Sequence, residues 1–386
     1  MENRLLVATR KGLLVWERTA RDRWRQSEVH FLGEPVSMVL AGPRDGSLYA
    51  ALNLGHFGVK LWRRARDRAG EGGWTACGVP VYPPRPAGQA TAATDMADVG
   101  PGDAAGETPP ARQAPWSLQQ IWSLEAGGRD EPGVLWAGTI PGGLFRSDDG
   151  GASWALNRPL WDRPERAEWF GGGYDDPGIH SICVDPRDSR HVTVAVSCGG
   201  VWQTRDGGQS WNGTTRGMVA PYMPPERAED PVIQDPHRMV SCADRPDALW
   251  IQHHGGIYRS MDGGERWEAR HASPSSFGFA AAVHPHDPDT AWFVPAVKDE
   301  CRVPVDGQLA VTRTRDGGDT FTAFSDGLPP SPGYDLVYRH GLAVDEGGER
   351  LAMGSTTGGL WVSEQGGERW SCVSAHLPPV YCVRFG

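Results

Sequence analysis

Carboxylate side chains that could do acid–base chemistry occur in segments whose residue pattern predicts loops rather than strands. Asp175 and Asp335 each precede a predicted strand, and Glu300 lies in a long loop. A pair of carboxyl groups can act as general acid and general base, or as an acid and a nucleophile. Glu300, Asp175 and Asp335 are therefore the candidate catalytic residues for such a reaction, with Glu300 as the general acid. Asp176 and Asp235 are further carboxylates near the same predicted strands.

Histidine, cationic and tyrosine side chains lie near these carboxylates and could bind a polar ligand. The ligand-binding candidates are His180, His237, His340, Lys298, Arg302, Tyr338 and Arg339. His180 and His340 occupy matched positions at the start of two predicted strands. The three histidines could hold a metal ion, but ordinary hydrogen-bonded histidines are the simpler interpretation, so no metal site is predicted. The seven cysteines form no CxxC pair, and no cofactor is predicted.

Five segments that repeat one pattern indicate how these residues are positioned. Each segment has Ser or Thr, then a Gly-Gly pair, then a closing aromatic residue, and the aromatics lie 49 to 57 residues apart. The segments are 147–154, 204–211, 260–267, 314–321 and 363–370, and two weaker copies end at Trp24 and Trp74. The Asp-Gly-Gly of the first four segments favours a tight turn between strands, because Gly adopts positive φ and Asp bonds nearby amides. Gln365 replaces this Asp in the last copy, which predicts a weaker turn.

The repeated segments resemble the Asp box, or BNR repeat, of sialidases, xyloglucanases and sortilin-like propellers. The resemblance implies a β-propeller and points to a glycosyl hydrolase-like protein. It is incomplete for sialidases, which carry an early Phe/Tyr-Arg-Ile-Pro motif and three Arg that grip the sugar carboxylate. The nearest match here is Cys301-Arg302-Val303-Pro304, which lies late in the chain. The repeats look closer to those of xyloglucanases, which use paired Asp but have two propellers.

Four short strands can be assigned to each repeat from alternating apolar residues. In one repeat we expect an inner strand a at His180–Val184, strand b at Val192–Ser197, strand c at Val201–Thr204 and strand d from Trp211. The Gly, Pro and Trp content, 51, 32 and 17 residues, suits many short strands joined by tight turns. The predicted fold class is all-β.

The two ends of the chain are expected to complete one blade. The first strands, Leu5–Thr9 and Leu13–Trp16, read as strands b and c, and Val380–Phe385 reads as a strand a with no blade after it. Joining the ends pairs edges that would otherwise be free. The sequence therefore predicts a seven-bladed β-propeller of four-stranded antiparallel blades, with six blades as the alternative.

The repeated turns and the candidate residues should lie on opposite faces of the disc. The turns connect strands c and d, whereas the long connections are d–a or b–c loops. Long loops tend to carry function, and here they converge on the mouth of the central channel. The repeated Asp residues are therefore interpreted as structural, and the mouth is the predicted site. The long connections are 156–178, 213–236, 295–308 and 323–335.

Residues 1–386 are interpreted as a single propeller domain with a Pro/Gly/Ala-rich inserted loop at 79–115. The formal charge of −10 and the lack of a basic cluster argue against nucleic acid or an anionic membrane as partners. No signal peptide is recognised after the first Met, which favours a cytoplasmic protein.

Two functions remain open from the sequence. One is a glycosyl hydrolase-like enzyme that acts on or binds a carbohydrate at the channel mouth. The other is a non-catalytic propeller that binds a polar small molecule or a protein partner on its loop-rich face. A shared fold does not decide between them.

Overall fold

The computed structural model describes residues 3–21, 23–42, 44–65, 73–84, 116–172 and 174–386. These residues form seven four-stranded sheets in which sequential strands pair antiparallel. One short α-helix, Arg158–Trp161, follows the third sheet. The 3-10 turns are Gly55–Phe57, Pro164–Glu168, Pro231–Ile233 and Val305–Gly307.

The sheets are the blades of a propeller, and the strands of each blade are named a to d from the inside outward. In order a to d, blade one consists of Val380–Phe385, Arg4–Thr9, Gly12–Ala20 and Arg23–His30, and blade two of Val36–Ala41, Leu48–Asn53, Val59–Arg64 and Thr75–Ala76. Blade three consists of Gln120–Ala126, Leu135–Ile140, Gly143–Ser147 and Ala155–Leu156, and blade four of Gly178–Val184, Val192–Ser197, Gly200–Thr204 and Asn212–Gly213. Blade five consists of Pro236–Ser241, Leu249–His253, Gly256–Ser260 and Glu268–Arg270. Blade six consists of Gly278–Val283, Ala291–Pro295, Val311–Thr314 and Thr322–Phe324. Blade seven consists of Leu342–Val344, Leu351–Gly354, Leu360–Ser363 and Ser371–Ser374.

The ring closes through the two ends of the chain, which confirms the seven-bladed prediction. Val380–Phe385 pairs antiparallel with Arg4–Thr9, with Phe385 opposite Leu5 and Val383 opposite Val7. The inner strand of each blade packs against the inner strands of the two neighbouring blades, including blade seven against blade one. The strands that close the ring are almost fully buried, so their apolar side chains contribute to one continuous core.

The repeated turns connect strands c and d and use one set of hydrogen bonds. In blade three, Ser147 Oγ accepts the Gly151 N–H at 2.8 Å and donates to Asp149 Oδ1 at 2.8 Å. Asp149 also accepts the Ser153 N–H at 2.9 Å and the Ser153 hydroxyl at 2.6 Å. Blades four and six repeat this pattern around Asp206 and Asp316. The turns thereby satisfy their own backbone groups.

In blades three, four and five, the closing tryptophan of the repeated turn ties its blade to the preceding one. Trp154 Nε1 donates to the Gly78 carbonyl at 3.0 Å, and Trp267 Nε1 donates to the Thr214 carbonyl at 2.7 Å. Trp211 Nε1 likewise donates to Asn157 Oδ1 at 2.9 Å. Each such ring is packed between sheets while its single N–H finds an acceptor, which is how a buried indole is accommodated.

The predicted insertion at 79–115 lies mostly outside the described residues, which include only 79–84 of it. Tyr82, at its start, is buried against blade three, where its ring contacts Phe145 at 5.2 Å and its hydroxyl lies 2.5 Å from Thr139 Oγ1. Within the described part of the chain, no helix has the length and apolar character needed to cross a membrane.

Candidate functional site

A cavity of about 420 Å³ occupies the channel mouth on the face of the d–a and b–c loops. Its wall combines cations, aromatic rings and neutral hydrogen-bonding groups. Among the residues that the structure describes, none of those lining it is an Asp or a Glu. The lining residues are Arg10, Pro35, Ser37, Asn53, Gly55, Gln120, Trp122, Tyr174, Arg302, Tyr338, Arg339, His340 and Tyr381.

Arg339 reaches this cavity from blade seven and lies among aromatic rings of other blades. Its guanidinium carbon is 4.5 Å from the centre of the Trp122 ring and 5.7 Å from that of Phe279. The residue is only 9% exposed, and its Nε has no hydrogen-bond partner among the described residues. Burial lowers the pKa of the guanidinium, and Asp235 opposes this shift. The mouth therefore contains a buried cation without a paired carboxylate in the described chain.

A β-bulge lies near the start of strand a in six of the seven blades, and in blades one to three the bulged side chain lines the cavity. In each case the register with strand b skips one residue. A bulge redirects a side chain without ending the strand. The skipped residues are Tyr381, Ser37, Trp122, His180 and His237 in blades one to five, and the blade-six bulge spans Phe279 and Ala280.

His180 is fully buried and uses both ring nitrogens. Nε2 donates to the Pro236 carbonyl at 2.7 Å, and Nδ1 lies 2.9 Å from Ser181 Oγ. Its ring meets Trp122 edge-on at 5.5 Å. Burial holds the pKa of His180 well below its ordinary value, so the ring is neutral. His180 therefore supports the cavity wall from behind Trp122 and is not available as a metal ligand.

His340 lines the mouth cavity and also a second cavity of about 340 Å³ deeper in the channel. Neither of its ring nitrogens has a hydrogen-bond partner among the described residues. Burial, with Arg238 and Arg384 nearby, holds the pKa of His340 well below its ordinary value. His340 is thus a neutral side chain that borders both cavities.

The long b–c loop of blade six contributes Arg302 to the cavity but turns its other charged residues outward. Arg302 lies 5.2 Å from the Phe279 ring centre and pairs with Asp299 at 2.6 Å. Lys298 and Glu300 pair with each other at 3.5 Å and are 63% and 75% exposed. Of the predicted residues in this loop, the structure therefore brings only Arg302 into the cavity wall.

The remaining predicted carboxylates also lie outside the cavity lining. Asp175 is exposed, although the adjacent Tyr174 lines the cavity and meets Trp122 at 5.2 Å. Asp335 accepts the Ser355 hydroxyl at 2.7 Å and also the Thr357 hydroxyl, so it holds the b–c turn of blade seven. Tyr338, by contrast, lines the cavity and packs against Phe279 at 5.1 Å.

Asp235 is a buried carboxylate that influences Arg339 and immediately precedes strand a of blade five. His237 Nε2 and His254 Nδ1 lie 3.3 Å and 3.5 Å from its Oδ2. Burial alone would raise the pKa of Asp235. The effects of His237, His254 and Arg339 are larger together and hold this pKa well below its ordinary value. The Asp235 carboxylate beside it raises the pKa of His254. These three side chains form the group in the described chain whose donor atoms could hold a metal ion.

Several cavity residues carry no chemical signal in the sequence. Four of them lie in blades one and two, whose repeated turns are degenerate: Arg10, Ser37, Asn53 and Tyr381. Gln120 is the first residue of the inner strand of blade three. Ser37, Trp122 and Tyr381 occupy the same bulged position as His180 and His237. Aligning the inner strands of all blades at that position would have found them.

Comparison with known proteins finds distant sequence relatives. No family model matches the chain. Two fungal oligoxyloglucan-reducing end-specific xyloglucanases, from Neosartorya fischeri (named as probable) and Emericella nidulans, are each 24% identical over 286 residues. The match covers 66% and 65% of this chain but only 32% of each fungal protein. The chain thus spans about a third of the length of the curated relatives that it matches.

Solved structures share the fold at low sequence identity. An ancestral GH74 enzyme is 17% identical with a TM-score of 0.56, covering 85% of this chain and 36% of that one. A functionally unknown protein from Desulfotomaculum acetoxidans is 11% identical with a TM-score of 0.56, covering 99% and 98%. The solved structures therefore show the propeller fold alone, and the two sequence relatives are named as xyloglucanases.

Proposed function

We propose that this protein binds a small anionic carbohydrate, such as a sugar acid or sugar phosphate, in the cavity at the channel mouth. The observation that carries this proposal is Arg339, a buried guanidinium without a carboxylate partner in the described chain. A buried charge is costly unless an opposite charge and hydrogen bonds accompany it. A carboxylate or phosphate of the ligand supplies both.

The rest of the wall suits a sugar ring attached to that anion. Trp122, Tyr174, Tyr338 and Tyr381 offer aromatic surfaces against which the C–H faces of a sugar can pack. Gln120 Oε1 accepts from Asn53 Nδ2 at 3.3 Å, and both side chains line the cavity with groups that can bond hydroxyls. The volume of about 420 Å³ lies in the range of pockets for small molecules.

Calorimetry with glucuronate, glucose 6-phosphate and glucose tests this proposal. We expect at least one of the two anions to bind about tenfold or more tightly than glucose, because a charge-assisted contact contributes about 1.5–3 kcal/mol. Arg339→Met should abolish this preference while keeping the side-chain volume. Arg205→Met, on the opposite face, is the matched control and should bind like the parent protein. Equal affinity for glucose and both anions would overturn the proposal.

Glycoside hydrolysis is the second candidate, and the sequence similarity to xyloglucanases favours it. Glu300, Asp175 and Asp335 remain its proposed catalytic residues, although a ligand in the cavity would have to extend outward to meet Glu300 or Asp175. Aryl-glycosides and xyloglucan oligosaccharides should then be turned over. Glu300→Gln should abolish turnover without changing the melting temperature. Glu265→Gln, in a repeated turn, should leave turnover intact. Binding without turnover of any of these substrates would contradict the hydrolysis proposal and support binding as the only function of the cavity.

A further inference from the structure

A compact group of donor atoms lies in blade five, beside the cavity but outside its lining. Asp235 immediately precedes strand a, and His237 is the bulged second residue of that strand. His254 lies in the tight b–c turn, and its backbone N–H donates to the Asp235 carbonyl at 2.9 Å. This bond joins the turn to the start of the inner strand, so the three side chains are brought together by the hairpin itself.

The separations in this group suit a shared cation better than direct hydrogen bonds. His237 Nε2 and His254 Nδ1 lie 3.3 Å and 3.5 Å from the same oxygen of Asp235, and all three atoms lie within 4.8 Å of one another. Good hydrogen bonds of this kind are about 2.7–3.2 Å long. Two donor atoms about 2.1 Å from a tetrahedral zinc ion lie about 3.4 Å apart, which falls between the two observed distances.

The hydrogen bond of His237 determines which ring nitrogen is left to bind an ion beside Asp235. Nδ1 lies 2.7 Å from the Gly278 carbonyl oxygen. A carbonyl oxygen can only accept, so Nδ1 carries a proton, and Nε2 is the ring nitrogen left to bind an ion next to the carboxylate. Histidines that bind metals usually donate their other N–H to a carbonyl or carboxylate in this way.

Hydrogen bonds to one oxygen orient the Asp235 carboxylate as well. Its Oδ1 accepts the Cys198 N–H at 3.1 Å and the Ser197 hydroxyl at 3.3 Å. Oδ2 therefore remains for the two histidines. His237 and Asp235 are almost fully buried, whereas the side chain of His254 is 24% exposed. A small ion can thus enter from the His254 side into a site whose inner ligands are held in place.

We propose that Asp235, His237 and His254 bind a divalent first-row transition-metal ion of the zinc type. Two imidazoles and one carboxylate are an established donor set for such ions, and three protein ligands leave one or more positions for water or another ligand. The site is independent of the anion-binding proposal, because none of its three ligands lines the cavity. Failure of either proposal leaves the other standing.

The experiment uses the full chain, freed of metal with a chelator and then titrated with Co²⁺ and Zn²⁺. Co²⁺ should give visible absorption bands that saturate at one ion per chain, and Zn²⁺ should displace it. Zn²⁺ should also raise the melting temperature, because an ion that binds only the folded chain stabilises it.

Two ligand variants and one matched control complete the test. Asp235→Asn and His254→Gln should each weaken Zn²⁺ binding by about tenfold to a hundredfold or more. The partly exposed His254 keeps the test informative if the buried Asp235 variant fails to fold. His286→Gln is the control, because His286 forms an exposed pair with Asp244 at 2.8 Å outside the group. The proposal is overturned if Co²⁺ gives no saturable spectrum or if His254→Gln binds Zn²⁺ as tightly as the parent protein. The group is then an ion pair between Asp235 and a doubly protonated His237.

Discussion

The guanidinium carbon of Arg339 lies 4.5 Å from the centre of the Trp122 ring. The two residues belong to blades seven and three, on opposite sides of the ring of blades. A cation held against an aromatic face gains about 2 kcal/mol when it is desolvated. This offsets only part of the cost of burying a charge that lacks a paired carboxylate in the described chain.

Arg339→Met should therefore leave the unliganded protein equally stable or more stable. Arg350→Met provides the contrast, because Arg350 is as deeply buried but pairs with Asp345 at 2.8 Å. Removing that partner leaves a buried carboxylate unpaired and should cost about 3–5 kcal/mol. Urea unfolding of both variants measures the difference. A large loss of stability in Arg339→Met would mean that the guanidinium is held by the fold for structural reasons.

Deleting Val380–Gly386 should prevent the ring from closing. The missing strand leaves the edge of Arg4–Thr9 unpaired and exposes the apolar residues packed around it, which favours aggregation. Deleting Gly386 alone is the control and should give a soluble protein. Size-exclusion chromatography and a thermal melt distinguish the two. A monomeric truncated chain with a cooperative melt would contradict closure by this strand.

Gln365→Asp should raise the melting temperature by completing the last repeated turn. The hydroxyl half of the pattern is already present, since the Gly367 N–H donates to Ser363 Oγ at 3.0 Å. In the equivalent turn of blade five, Asp262 Oδ1 accepts the Arg266 N–H at 3.0 Å, and Arg369 occupies that position here. Gln365→Glu adds the same charge on a longer side chain and should not reproduce the gain. Differential scanning calorimetry would detect it, and equal melting temperatures for the two variants would argue against the mechanism.

The repeated turns should make stability fall at acid pH. Hydrogen bonds from Ser153 lower the pKa of Asp149 to about 2, and those from Thr320 lower the pKa of Asp316 to about 2. In the unfolded chain these groups titrate near pH 3.9, roughly. Because the folded pKa is the lower one, the stabilisation is complete above about pH 4 and is lost as the pH falls towards 2.

The double variant Asp149→Asn with Asp316→Asn isolates this effect. Its melting temperature should be lower than that of the parent protein at neutral pH, and the gap should narrow below about pH 4. Asp130→Asn, outside the turns, should leave the pH profile of the parent unchanged. A constant gap at all pH values would mean that ionisation of the two carboxylates is not the source of the stability.

The fold was predictable because each blade repeats one local rule. Asp-Gly-Gly turns and alternating apolar residues mark strands c and d, and the strands at the two ends of the chain complement each other. The contacts of the site were less predictable. Arg302, Tyr338, Arg339 and His340 were expected at the mouth and line the cavity, whereas Glu300 is turned outward by its own loop.

The grouping of Asp235 with His254 could not be foreseen for a physical reason. The two residues lie 19 positions apart, and what joins them is the closing of a hairpin whose b–c turn falls beside the start of its own inner strand. From the sequence, Asp235 is one of the carboxylates near the predicted inner strands. Only the strand register determines that the side chain of His254 lies beside it.

The bulge near the start of the inner strands has a consequence for how this scaffold can change. Six of the seven blades present a side chain at a position that strand pairing does not use, and the side chains there already include Tyr, Ser, Trp, His and Phe. Where the bulged side chain lines the cavity, at Ser37, Trp122 and Tyr381, substitution leaves the ladders and the repeated turns untouched. Selection, or a library randomised at these few codons, can therefore explore new ligand preferences residue by residue while the architecture stays constant.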